Sequence, residues 1–431
     1  MSLDTSPLGR ERDGLDACVH CGFCLPACPT YLALEDENDS PRGRLVLMGA
    51  LLDGTVERDD PVVREHLDRC LGCRGCETAC PSGVPYGRLL EAARETLTAT
   101  TPLPPLARLV LAIFARPALL RLALAGARVL RASRVPVLLA RILPRRLAMP
   151  LAMLASTRRD AAPSWTPAGD GSRGVVSPLT GCVMEGLFTE VNRATERTLV
   201  VNGWSVRETP TQRCCGALHA HAGDAATART LARANIAAFE SSGDALIVIN
   251  SAGCSAMCKE YAHLLGEDPL WAPRAGAFAA RVRDAHELLA ETGPIAPLGV
   301  PIHARDSVNT VAKRKVAYDA PCHLQHAQRV VAPPLAVLGA VPGIELVPLT
   351  DSDQCCGSAG IFNLIHPDVA ERVLVPKLGR ILESGARVVA TGNPGCLMQI
   401  GGGLALESRR VVARHPVELL DEAYARQGRP G

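Results

Sequence analysis

Aromatic residues make up only 3% of this 431-residue chain, and 46 basic against 44 acidic residues leave a formal net charge of +2. Few rings remain for bases to stack on, and no electrostatic footprint exists for a phosphate backbone, so nucleic acid is excluded as a partner. No apolar run approaches the ~18 residues that a transmembrane helix requires. Met1 to Asp16 is polar and charged, with no apolar stretch to direct export, so the expected location is cytoplasmic. No Gly-x-Gly-x-x-Gly turn follows a strand pattern, which leaves neither flavin nor nicotinamide a seat in this chain. Gly401-Gly402-Gly403 reads as a flexible loop or a helix end.

What the chain has is cysteine. Its 17 cysteines are an odd number with no secretory start, which argues against a disulfide framework and for a reducing compartment where thiolates meet metals. Cys18, Cys21, Cys24 and Cys28-Pro29 read C-x2-C-x2-C-x3-C-P, and Cys70, Cys73, Cys76 and Cys80-Pro81 repeat that spacing 52 residues later. Three thiolates at this step can wrap three corners of a cubane, and the fourth, before proline, is placed to ligate the other cluster. The expected sets are therefore Cys18, Cys21, Cys24 and Cys80 on one [4Fe-4S] cluster, and Cys28, Cys70, Cys73 and Cys76 on a second. Zinc ribbons also use paired Cys-x2-Cys but seldom carry the third cysteine and the trailing Cys-Pro, so a zinc-stabilised scaffold is the weaker alternative.

Length and a 47% hydrophobic content predict several domains, together an α+β multidomain protein. Residues 1–100 form the first. Asp39-Ser40-Pro41 and Asp60-Pro61 are helix starts, the first leading to a stop at Gly54, and helices filling the 52-residue offset suggest a helical ferredoxin-type domain. Residues 101–174 are a connector. Its part from 101 to 159 holds eleven arginines and no acid among Leu, Val and Ala. Helices broken at Pro117, Pro136, Pro144 and Pro150 would give either an interfacial, partner-binding surface or a linker packed on its neighbours. Ala161 to Gly174, rich in Pro, Gly and Ser, marks the boundary.

A second repeat, of about 141 residues, fills 175–314 and 315–431. Each copy carries a β-rich run ending at a cysteine, a helical stretch, a second strand, a Cys-Cys-Gly turn, a long helix (Ala225 to Glu240; Asp368 to Leu382), a third strand and a further cysteine. The alternation predicts a parallel sheet flanked by helices, with cysteines converging at its carboxyl edge. Cys182, Cys214, Cys215 and Cys254 form one set, and Cys322, Cys355, Cys356 and Cys396 the other. Four soft ligands suit zinc or an iron-sulfur cluster, and dithiol exchange is an alternative. Cys258 reads as a small buried residue. His219, His221, His323 and His326, near these turns, read as hydrogen-bonding neighbours or solvated side chains before ligands.

Several words between the cysteines, Asp39-Ser40-Pro41-Arg42-Gly43-Arg44, His66-Leu67-Asp68-Arg69-Cys70 and Leu324-Gln325-His326-Ala327-Gln328, give the chain a family likeness. From about residue 14 to 425 it resembles the iron-sulfur subunits of bacterial glycolate oxidase (glycolate dehydrogenase). The cysteine motifs alone are shared with subunits of anaerobic glycerol-3-phosphate dehydrogenase, lactate-utilisation systems and heterodisulfide reductases. The resemblance implies an electron-transfer subunit that takes electrons from an FAD-binding partner oxidising glycolate to glyoxylate. It would pass them to quinone from a peripheral position on the inner face of the cytoplasmic membrane. The eight ferredoxin-type cysteines carry over as ligands. The second set carries over less far, because Met257 and Gln399 stand where heterodisulfide reductase modules close with Cys-x2-Cys. His20 and Arg74 are candidates to tune cluster potential. Arg42 and Arg44 are candidates to fix the helix or meet a partner.

Overall fold

The computed structural model describes residues 3–158, 165–295, 313–407 and 410–427. Near the N-terminus, both expected helix starts form as their caps dictate. Ser40 Oγ accepts the Gly43 amide at 2.9 Å, and the helix runs Pro41–Leu52. Asp60 Oδ1 accepts the amides of Val62 (2.8 Å) and Val63 (3.1 Å), opening Pro61–Asp68. A third helix, Tyr86–Thr98, follows the second cysteine run. Leu45, Met48, Leu67, Leu89 and Leu97 from these helices close a core that also holds Cys70 and Cys76. The second run is thus built into the core, whereas Cys21 of the first is exposed.

The connector forms four helices, Pro105–Ala115, Pro117–Ala132, Val135–Ile142 and Arg145–Ser156. Pro117, Pro136 and Pro144 stand at helix starts, but Pro150 lies inside the last helix and does not break it. The glycine triplet also departs from expectation. Gly401, Gly402 and Gly403 are buried in the middle of the helix Pro394–Leu406, against which Arg145–Ser156 packs. A Cβ on Gly402 would lie 2.8 Å from the Met153 amide nitrogen, and one on Gly401 2.9 Å from Ser156 Oγ. Bare backbone lets the two helices touch, and that packing outweighs both the poor helix propensity of glycine and the bond lost at Pro150. No single helix among the described residues is long and apolar enough to cross a bilayer; the first two connector helices would reach that length only together, and they meet at 106°.

The C-terminal half contains two four-stranded sheets, all parallel. β1 (Val175–Pro178), β2 (Ser205–Val206), β3 (Leu246–Ile249) and β4 (Val282–Asp284) take the order β2-β1-β3-β4. β5 (Arg314–Tyr318), β6 (Ile344–Val347), β7 (Val388–Ala390) and β8 (Val412–Arg414) take the order β6-β5-β7-β8. Long helices Ala225–Glu240 and Pro367–Glu383 serve as crossovers, as parallel neighbours demand. The sequence pattern shows three strands per copy; the structure adds a fourth, β4 or β8, at one edge of each sheet.

The two modules share one core, in which Val176, Val191 and Leu288 of the first meet Val316, Val337 and Leu420 of the second. Arg197 grips Asp421 through two bonds of 2.8 and 2.7 Å, and Asn202 Nδ2 donates to the Tyr424 hydroxyl at 3.1 Å. The boundary segment 161–174 falls partly outside the described residues. Its described part is tied down, with Trp165 Nε1 donating to Asp421 Oδ1 at 3.2 Å. Residues 296–312, at the end of the first module, also lie outside the described residues.

Candidate metal centres

Each ferredoxin-type run turns through two left-handed residues at matching places. In the first they are His20 (φ 53°) and Gly22 (φ 84°); in the second, Gly72 (φ 62°) and Arg74 (φ 62°). Each copy places glycine at one of the two positions and accepts a strained side chain at the other. The turns curl three thiols toward one point. Cys18, Cys21, Cys24 and Cys80 line one small cavity, which Cys76 of the second run also borders. Cys28 stands within electrostatic reach of Cys73 and Cys76, and both of these thiols are pushed well above their ordinary range, first by burial and then by neighbouring thiols. Polar hydrogens also reach these sulfurs. Cys28 Sγ lies 3.2 Å from Thr30 Oγ1, and Cys70 Sγ accepts from the Gly72 amide (3.4 Å) and the Tyr86 hydroxyl (3.6 Å).

The four non-cysteine candidates separate. Arg44 is fully buried, donating to His66 O (2.7 Å), Thr30 Oγ1 (3.1 Å) and Asp39 Oδ1 (3.0 Å). Its charge sits among Cys28, Cys70 and Asp39. Arg42 bonds Glu37 Oε1 at 2.8 Å and the His20 carbonyl at 3.3 Å, so it braces the first run. His20 Nδ1 is 4.0 Å from Cys18 Sγ. Arg74 turns away from sulfur and joins Glu77 (2.9 Å) to Glu260 of the first module (3.1 Å), which makes it a strut between domains. Thr30, Tyr86 and Arg94 were missed by sequence reasoning. Arg94 donates to the carbonyls of Leu67 (2.9 Å), Cys70 (2.6 Å) and His221 (2.7 Å), a role that no local motif announces.

The second cysteine set lies where strand ends place it. Cys182 follows β1, the Cys214-Cys215 turn follows β2, and Cys254 follows β3; Cys322, Cys355-Cys356 and Cys396 repeat this after β5, β6 and β7. Gly216 (φ 87°) and Gly357 (φ 84°) are left-handed, and each backs onto the long helix of its module. Cys182 and Cys214 sulfurs are 3.7 Å apart, and thiol contacts continue from Cys214 to Cys215 and on to Cys254. The second module links Cys322 to Cys355, Cys356 and Cys396 in the same sequence. Hydrogen bonds from the Cys182 and Cys215 thiols hold Cys214 well below its ordinary range, while a thiol bond to Cys356 and burial push Cys396 up. Four adjacent sulfurs are the donor set of a soft metal centre, so the residues present fit such a group in each module. Met257 and Gln399 are buried with no thiol to offer, and Cys258 is a fully buried core residue.

All four histidines have hydrogen-bond partners. His219 Nε2 lies 3.0 Å from Leu111 O, and His221 Nδ1 2.7 Å from Glu91. His323 and His326 ride on a π-helical turn, His323–Ala327, that docks the second module onto the second ferredoxin run: His323 Nε2 is 3.0 Å from Gly72 O and His326 Nδ1 2.8 Å from Thr78 Oγ1. Through this contact Cys73 comes within electrostatic reach of Cys355 and Cys322, and Leu71, Cys355 and Phe362 share an apolar cluster. The buried ferredoxin run and the second thiol set are neighbours.

Residues 14–84 match the family model of a 4Fe-4S dicluster domain, and residues 176–259 and 316–401 each match that of a cysteine-rich domain. The chain is 35% identical to the probable glycolate oxidase iron-sulfur subunit of Bacillus subtilis, over 94% of this chain and 93% of that protein. It is 34% identical to the glycolate oxidase iron-sulfur subunit of Escherichia coli, over 96% and 95%. Lactate utilization protein A of an Exiguobacterium species is 32% identical over 57% of this chain and 97% of its own length.

Proposed function

The chain belongs to the family of glycolate oxidase iron-sulfur subunits, and from that premise we propose that it is the electron relay of a glycolate-oxidising complex. As an iron-sulfur electron-transfer subunit it works with other subunits. In this reading an FAD-binding partner oxidises glycolate to glyoxylate and hands over the two electrons. Cys18, Cys21, Cys24 and Cys80 hold the [4Fe-4S] cluster that receives them, next to Val19 (67% exposed) and Phe23 (65% exposed), which offer the partner an apolar contact. Cys28, Cys70, Cys73 and Cys76 hold the next cluster inside the core. The observation that carries the reading is the approach of Cys73 to Cys355, which continues the path into the second thiol set, where a further cluster or a zinc ion is bound.

The connector supports a membrane surface as the place of delivery, with quinone as acceptor at the inner face of the cytoplasmic membrane. Among the described residues, eleven of the 24 exposed large hydrophobics fall between Leu106 and Leu147. Arg145 pairs with Glu371 and Glu407, and Arg131 is bonded to the carbonyls of Thr157 and Leu187. Arg108, Arg116, Arg121, Arg128, Arg134, Arg141 and Arg146 show no ion pair among the described residues. Exposed leucines among arginines suit an anionic lipid interface.

Purified anaerobically with its partners, the chain should carry at least about eight irons, with two reducible cubane signals; stoichiometric zinc without iron would sink the relay. Cys80→Ser should alter the signal of the cluster on Cys18, Cys21 and Cys24, and a change confined to the cluster of the Cys70 run would overturn the crossed ligation. Replacing Arg121, Arg128 and Arg141 with Gln should release the complex from membranes, and unchanged sedimentation with vesicles would remove the membrane from the proposal.

A further inference from the structure

The thiols of both modules face one cavity of about 350 Å³, which Pro150 and Met153 of the connector close on the opposite side. In the relay read above, electrons enter at the exposed first run and reach that space through the inner cluster, on Cys28, Cys70, Cys73 and Cys76. The order of the two cluster potentials therefore sets the direction of flow.

Burial works against the inner cluster. A cubane on four thiolates is anionic and more so once reduced, so removal from water lowers its potential unless a cation stands nearby. Arg44 is fully buried beside Cys28 and Cys70, but its charge is matched by Asp39 Oδ1 at 3.0 Å. Arg94 has no such match. It is 8% exposed, and its guanidinium is held by carbonyls alone. Nη2 donates to Leu67 O (2.9 Å), Asp68 O (3.2 Å) and the carbonyl of the ligand Cys70 (2.6 Å), and Nη1 to His221 O (2.7 Å). Its Nε has no hydrogen-bond partner.

The acids beside Arg94 in the chain, or in the crevices it borders, are engaged elsewhere. Asp68 pairs with Arg64 (2.7 Å), Glu91 with His221 (2.7 Å) and Glu95 with Arg229 (2.9 Å). Among the described residues none forms an ion pair with Arg94. A buried charge without a counter-ion is costly, and the anionic group that Cys70 would ligate is the counter-charge left to it. The first run has no equivalent: its Arg42 is 31% exposed and paired with Glu37 at 2.8 Å.

We infer that Arg94 is the counter-charge of the inner cluster and holds its reduction potential above that of the outer one. The inference rests on the relay reading. The step it governs is the passage of one electron from the outer cluster to the inner, in which no bond breaks and no proton moves. The tuning expected of Arg74 thus falls to a residue outside both cysteine runs.

The test is a redox titration of the complete complex followed by EPR, with the outer signal identified as the one that Cys21→Ser alters. In the wild type the inner cluster should have the higher potential. Arg94→Gln, which removes the charge, should shift electron sharing away from the inner cluster at least about tenfold, ~59 mV for a one-electron couple, and leave the outer potential unmoved. Arg94→Lys, which keeps the charge but gives up the planar clamp, should recover at least half of that shift; a purely structural clamp would be lost in both variants alike. An inner potential at or below the outer in the wild type, a smaller or shared shift in Arg94→Gln, or recovery of less than half in Arg94→Lys would overturn the inference. The wild-type order keeps the test decisive should Arg94→Gln not fold. Failure of glycolate to reduce either cluster, or zinc in place of iron, would instead defeat the relay reading.

Discussion

The two cysteine-rich modules have the same strand order and the same cysteine spacing, yet they differ beneath their thiols. In the second module Asp319 and Lys377 form a buried ion pair at 2.7 Å, 2% and 1% exposed. Lys377 also donates to the carbonyls of Asp351 and Ser352 at 3.0 Å each, and Thr391 donates to Asp319 Oδ2 at 3.0 Å. The repeat aligns Asp319 with Leu179, in the apolar core of the first module, and Lys377 with Asn235, a buried amide that donates to Cys214 O and the Tyr261 hydroxyl at 3.1 Å each. The fold therefore does not need the pair, in keeping with the small net stability that buried ion pairs give. Its place matters more. Burial pulls the Lys377 ammonium down, but Asp319, Cys356 and Cys396 hold it above its ordinary value. A cation there favours the negative, metal-binding form of those thiols. The module so equipped is the one against the buried ferredoxin run, so an internal duplication has become two unequal stations.

Three experiments press on this inequality. Lys377→Met leaves Asp319 buried without its partner and should destabilise the protein by about 3–5 kcal/mol. The double change Asp319→Leu with Lys377→Asn, which copies the first module, should restore most of that loss in denaturant unfolding. If the double variant is as unstable as the single one, the modules are not interchangeable at this level.

The glycine turns give a smaller contrast. Alanine at Gly216 or Gly357 costs about 1–2 kcal/mol for its left-handed backbone. A Cβ at Gly357 would also meet Ala370 O at 2.6 Å, whereas one at Gly216 finds Ala228 Cα at 3.3 Å. Gly357→Ala should therefore lower the melting temperature more than Gly216→Ala, and the reverse order would mean that the helix behind the second turn yields more readily than that behind the first.

The smallest effect is expected from acid. Burial, then the neighbouring charge of His221, lowers His323 from 6.5 to about 3, while the aligned residue of the first module is Val183. A depressed value means that the folded state declines a proton the unfolded chain accepts. The docking contact is at full strength above about pH 6.5 and weakens as pH falls from there toward 3, by on the order of 1–2 kcal/mol at pH 5. His323→Gln should flatten the pH dependence of thermal unfolding between 7 and 5; an unchanged slope would assign it to other groups.

Much of this was legible in the sequence because repeats carry their own control. The Cys-Cys-Gly turn and the long helix after it stand out in two copies, and their periodicity falls where the helices form. Ser40 and Asp60 announced their helices because a cap acts through neighbours only a few residues away. What escaped was contact across the chain. Arg74 sits inside a ligand run, where tuning was the natural expectation, yet its partner Glu260 is 186 residues away. The triplet Gly401-Gly402-Gly403 spells a break locally, and only the helix Arg145–Ser156 lying against it turns it into a packing surface. Nor could two similar modules reveal which of them lays its thiols beside the second ferredoxin run, since that depends on the turn carrying His323 and His326.

The crossing at Gly402 has a mechanical consequence. The helix Pro394–Leu406 carries Cys396 in its first turn, and the connector helix laid across its glycines contributes Pro150 and Met153 to the opposite side of the same space. One continuous joint, backbone on backbone, thus fastens the sulfur to the surface that faces it. The gap between them is fixed when the chain folds, like the jaw of a gauge, and each cycle of electron transfer meets the same separation.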